Sequence, residues 1–129
     1  MNNNARNVLN DLIFLEKEAK VFGFDWPNEI MIIDQALDEC REIKEVIHNH
    51  ESRERLQEEI GDLLHSAISL CVFTGFDVEE TLSKVIVKFG SRMQAIKSLT
   101  EAEGLVNLQG QSFDFMLELW KQAKQITVK

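Results

Sequence analysis

Apolar residues return at three- and four-residue intervals through most of this chain, and that repeat is the signature of a helix face. Val8, Leu9, Leu12, Ile13, Leu15 and Ala19 form the first such run, which Gly23 is placed to end. Six Gly, one Pro and no Tyr in 129 residues leave little turn chemistry for a sandwich or barrel. The fold class expected is all-α, a helical bundle of about four to five helices.

Four further runs follow. Ile30, Ile33, Leu37, Cys40, Ile43 and Ile47 define a second helix, with Pro27 suited to its first turn and a stop near residues 48–51. Ser52 can cap a third through Leu56, Ile60, Leu63, Leu64, Ala67, Ile68 and Cys71, ending at Gly75. The second and third helices then form an antiparallel hairpin. Asp77 with Glu80 resembles a capping box for a fourth helix through Val85, Phe89, Met93 and Ile96, which Gly90 weakens without breaking. Periodicity lapses from Leu99 to Gln111, after which Ser112 can cap a last helix with Phe113, Met116, Leu117 and Trp120 on its main apolar face. Phe115 and Leu119 fall off that face, a surplus commonly buried by another subunit. No internal repeat interrupts the chain, so a single domain over residues 1–129 is expected.

Charge narrows the partners. With 22 Asp and Glu against 14 Lys and Arg the net charge is -8, which repels nucleic acid phosphates. No run of about 18 apolar residues exists for a membrane span, and Met1 to Arg6 is polar, unlike a signal peptide. A cytoplasmic protein binding neither nucleic acid nor membrane is expected. Cys40 and Cys71 fall on apolar helix faces and read as small structural hydrophobes.

Residues 38–62 hold nine acids against four bases. A solvated face explains most such runs, but here the positions matter. Glu39 projects between Ile32 and Val46, and Glu59 between Leu70 and Phe73, so both carboxylates lie within or beside an apolar arc. Glu42 and Asp62 follow three residues later, which puts each pair on adjacent turns of one face. A hairpin reversing near residues 50 and 51 sets Glu39 opposite Asp62 and Glu42 opposite Glu59. Four converging acids raise one another's pKa unless a cation is present, and hard oxygen ligands suit Mg²⁺ or Mn²⁺.

Lys84, Lys88, Arg92 and Lys97 occupy a segment without acids, the first three at four-residue spacing. Such a stripe either receives phosphate oxygens or is a solvated face with snorkelling stems. Trp26 beside Pro27 is either a stacking surface for a base or a hydrophobic anchor, and Phe14, Phe22, Phe24 and Phe73 carry the same ambiguity.

The order Asp38-Glu39-x-x-Glu42, a spacer, then Glu59-x-x-Asp62 resembles the EExxE…ExxD signature of MazG-type nucleoside triphosphate pyrophosphohydrolases. Gln57 to Leu64, the Lys88-Phe89-Gly90-Ser91-Arg92 segment, and Glu103-Gly104-Leu105 leading to Leu119 to Lys124 are similar to that family as well. Asp38 stands where the family usually has the first Glu. The resemblance implies an all-α fold, Mg²⁺ with Mn²⁺ as a substitute, a homodimer or homotetramer, and hydrolysis of a nucleoside triphosphate to monophosphate and pyrophosphate. It implies Glu39, Glu42, Glu59 and Asp62 as metal ligands and catalytic acids, with Lys88 and Arg92 on the phosphates.

Two other readings compete. Glu45-x-x-His48 and Asp62-x-x-His65 imitate the ligand spacing of carboxylate-bridged di-iron bundles, but the hairpin register sets Asp62 opposite residue 39, not 45, an offset of about 9 Å. A non-enzymatic helical interaction module explains the surplus apolar helix and the acidic surface, but not four converging acids.

Overall fold

The computed structural model describes residues 7–127 and is helical, with no strand among the described residues. The helices are α1 (Val8–Phe22), α2 (Glu29–His48), α3 (Arg53–Phe73), α4 (Val78–Ala102) and α5 (Phe113–Ile126). The chain divides into two compact units, one up to Val78 and one from Glu79 onward.

Side-chain caps set most of the starts. Ser52 Oγ accepts the Arg55 amide at 3.1 Å, and Ser112 Oγ accepts the Phe115 amide at 3.1 Å, both as the sequence indicates. At α2 the outcome differs, because Asn28 Oδ1 accepts the Met31 amide at 3.0 Å and is itself the cap. Pro27 therefore precedes the cap instead of sitting in the first turn.

Four of the helix ends share one closure. After α1, α2, α3 and α4 the chain makes the paired backbone bonds of a Schellman turn, which needs a residue in the left-handed region. Gly23, Gly75 and Gly104 supply it at three of them, and His50 supplies it after α2 with a φ of 50°. The Glu51 amide reaches Val46 O at 3.0 Å and the His50 amide reaches Ile47 O at 3.2 Å, so the chain reverses at once into Ser52. The fourth helix extends past Ile96 to Ala102, further than its periodicity implies. Within that extension Thr100 is buried, and its Oγ1 donates to Ile96 O at 2.7 Å, so the hydroxyl is satisfied inside the helix.

In the first unit α2 and α3 pack along each other and α1 lies against α3. Ile32 and Val46 of α2 are buried, yet the buried residues of α3 are Glu59, Ser66 and Ser69. Meanwhile Leu37, Ile33, Ile60 and Leu64, expected on core faces, are exposed.

In the second unit Ile96, Leu119 and Ala123 form the core, with Met93, Leu99, Leu108, Phe115 and Trp120 packed on it. This shifts the face expected for the last helix, of whose four residues only Trp120 packs on the core. Phe115, Leu119 and Ala123 follow at intervals of four and make the inward stripe, where the small Ala123 permits close approach. Phe113 is exposed, and Met116 and Leu117 are more than a third exposed.

Candidate metal centre

The hairpin brings Glu39, Glu42 and Glu59 together, with one carboxylate oxygen of each within 4.8 Å of the others. Glu39 and Glu59 are buried, at 8% and 5% exposure, while Glu42 stands at the open side. Burial of carboxylates is costly unless they are paired, so their partners matter. Gln35 Nε2 donates to Glu39 Oε2 at 2.9 Å from one turn earlier on α2. Arg55 Nη1 donates to Glu59 Oε2 at 2.7 Å and its Nε reaches Glu51 Oε1 at 3.4 Å.

Those contacts leave part of the cluster unpaid. Glu59 Oε1 is buried and receives no hydrogen bond. Glu42 has its carboxyl raised above the usual range, first by its hydrogen bond to Glu39 and then by the charge of Glu59, with Arg55 opposing. Crowded hard oxygens with one buried lone oxygen are a donor set that fits a divalent cation such as Mg²⁺ or Mn²⁺.

Of the four acids expected to converge, three do. Asp62 is exposed, one turn beyond Glu59 on α3, and its carboxylate lies outside the 4.8 Å group. Asp38 is turned to solvent and bonded to Arg41 Nη1 at 2.6 Å, which also raises the Arg41 pKa. The ligand pairs imagined for a di-iron site do not form. His48 is exposed, and His65 Nε2 instead bonds Glu16 Oε2 on α1 at 2.5 Å.

Lys84, Lys88, Arg92 and Lys97 all lie on α4. The three lysines are exposed, whereas Arg92 is half-buried with its guanidinium over the Trp120 ring at 5.3 Å. Phe89 packs on the same ring at 6.2 Å. Trp26 is half-buried beside a cavity of about 550 Å³ in the first unit. Phe73 lies under Lys20, while Phe14, Phe22 and Phe24 are exposed. Cys40 and Cys71 are both half-buried, and Cys71 Sγ donates to Phe76 O at 3.6 Å. Sequence reasoning missed Gln35, Arg55 and Glu16 as partners; the first two stand four residues from the acids they bond, a spacing that was there to be read.

Residues 28–96 match the MazG nucleotide pyrophosphohydrolase domain. Among curated proteins, the chain is 34% identical over 110 residues to the nucleoside triphosphate pyrophosphohydrolase/pyrophosphatase MazG of Thermotoga maritima, covering 85% of this chain and 41% of that protein. It is 30% identical over 117 residues to a nucleoside triphosphate pyrophosphohydrolase of Escherichia coli K12, covering 86% of this chain and 42% of that protein. The chain thus spans about two fifths of the length of these relatives. No helix among the described residues is long and apolar enough to cross a membrane.

Proposed function

The chain belongs to the MazG nucleotide pyrophosphohydrolase family, and from that premise we propose that it hydrolyses a nucleoside triphosphate to the monophosphate and pyrophosphate, clearing nucleotides from the cytoplasmic pool. The observation that carries this reading is the Glu39, Glu42 and Glu59 cluster with its buried, unbonded Glu59 oxygen. Glu39, Glu42 and Glu59 would hold Mg²⁺, or Mn²⁺ in its place, and Asp62, exposed one turn beyond Glu59 on α3, would join them only by turning its side chain inward. Bound there, the cation supplies charge for the triphosphate oxygens and lowers the pKa of water.

The protein's own groups do the rest. Gln35 and Arg55 hold Glu39 and Glu59 in their rotamers, so the carboxylates need little reorganisation when they bind. One carboxylate of the set orients or deprotonates the attacking water at the α-phosphorus. Lys88 and Arg92 take the phosphate tail, and Trp120 fixes the Arg92 guanidinium plane for that purpose. A single functional domain over residues 1–129 is part of the same reading, and residues 28–96, from α2 into α4, are the part of it that matches the family.

Copies of the chain associate as a homodimer or homotetramer. Phe14, Val21, Phe22, Ile33, Leu37 and Leu64 are exposed, more apolar surface than a lone helical hairpin leaves in water. The test of the activity is pyrophosphate release from a panel of canonical, deoxy and damaged triphosphates with millimolar Mg²⁺. Release that requires the cation and vanishes in Glu39→Gln supports the reading; no release from any member overturns it.

A further inference from the structure

The first unit holds a second polar cluster that the metal centre does not use. Glu16 of α1 is about four-fifths buried and receives two hydrogen bonds from α3, from His65 Nε2 at 2.5 Å and Ser69 Oγ at 2.9 Å. Both reach Oε2. Among the described residues Oε1 receives none, so Glu16 keeps an open acceptor.

Glu16 is one of the residues lining the 550 Å³ cavity, together with Phe24, Trp26, Met31, His65 and Ser69. A mostly apolar cleft of this size with an aromatic ring and a few convergent polar groups is the usual form of a small-molecule site. Its position is informative as well. Met31 precedes Glu39 by eight residues on α2 and His65 follows Glu59 by six on α3, about 12 Å and 9 Å along the helices. The cavity and the acid cluster are thus separated along the hairpin by roughly the reach of a nucleoside.

We infer that this cavity seats the base of the nucleotide, with Trp26 against the ring and Glu16 accepting from an exocyclic amino group. The inference rests on the pyrophosphohydrolase reading for the location of the phosphates. The selected substrates are triphosphates of cytosine, adenine or guanine, whose polar edges carry amino donors. Uracil and thymine present carbonyl oxygens on both sides of their single N–H, and a carboxylate repels both. His65 and Ser69 are positioning residues, holding the Glu16 carboxylate at the cavity wall. A site built to accept a donor discriminates against an analogue without one, because an acceptor that the bound base shields from water is then left unpaired.

The experiment compares kcat/KM for CTP, ATP and GTP with that for UTP and dTTP, in wild type, Glu16→Gln and Trp26→Ala. Wild type favours the amino-bearing bases by at least about tenfold, the value of a charge-assisted hydrogen bond. Glu16→Gln shrinks the CTP to UTP ratio by about the same factor, and Trp26→Ala weakens all bases while leaving the ratio in place. Equal wild-type constants for CTP and UTP, or a ratio unmoved in a folded Glu16→Gln protein, overturn the inference. The wild-type comparison stands even if the variant does not fold. If no triphosphate is hydrolysed, the pyrophosphohydrolase reading fails on its own, and calorimetric titration with the α,β-imido analogues of CTP and UTP decides the pocket. Tighter binding of the cytosine analogue supports it, and equal or weaker binding overturns it.

Discussion

At the scale of single residues, the acids divide by what they can lose. Glu39→Gln keeps the volume and the hydrogen bond to Gln35 while removing a ligand charge, so Mg²⁺-dependent hydrolysis is abolished and helicity retained. Asp62→Asn gives the same loss if the exposed carboxylate swings in to complete the set; near-wild-type turnover removes Asp62 from the site. Glu42 carries a pH signature. Its folded pKa lies above its unfolded one, so its stabilising contribution is complete below the ordinary glutamate range and is lost as pH rises through the folded value. Melting in EDTA at pH 4 to 7 therefore shows a decline that Glu42→Gln reduces and Mg²⁺ offsets at neutral pH. Lys88→Met and Arg92→Met lower kcat/KM for triphosphates, Arg92 more steeply because its planar fork grips two oxygens. Unchanged kinetics in both leave Lys88 on a solvated face and Arg92 as a packing partner of Trp120. The buried positions of Glu39 and Glu59 were legible because each interrupts an apolar arc. Glu16 was not, since its partners His65 and Ser69 lie 49 and 53 residues away and no spacing rule reaches that far.

The elements were readable where a local side chain fixes their ends, as Ser52 and Ser112 do. They were misread where tertiary burial takes over: α4 continues past its periodic stretch through a buried Thr100, and Ala123 draws the Leu119 side of α5 inward against the larger apolar count of the other side. His50 presents an element-scale prediction. A side chain at a φ of 50° costs roughly 1 kcal/mol that glycine avoids, so His50→Gly stabilises the protein by about that much in urea unfolding. The exposed position of His50 allows the change without loss of packing. A destabilised variant shows that His50 contributes contacts outweighing its backbone cost.

For the whole molecule, the buried apolar set is small and much of the apolar surface faces outward. Light scattering at micromolar concentration is expected to give a dimer or tetramer, and a monomer contradicts the proposed association. Truncation before Ser112 removes Leu119 and Ala123 from Ile96 and lowers solubility. The short reversal after α2 has a further consequence, for inheritance. Exposed loops ordinarily accept insertions and deletions. Here an added residue that broke the paired closing bonds or displaced the Ser52 cap and extended α3 by one position would slide the later residues of α3 by about 1.5 Å and turn them through about 100° against α2, parting Glu59 from Glu39 and Glu42. The connection is on the surface, yet His50, Glu51 and Ser52 tie its conformation to the hairpin that assembles the acids, so its length and its residues are constrained together.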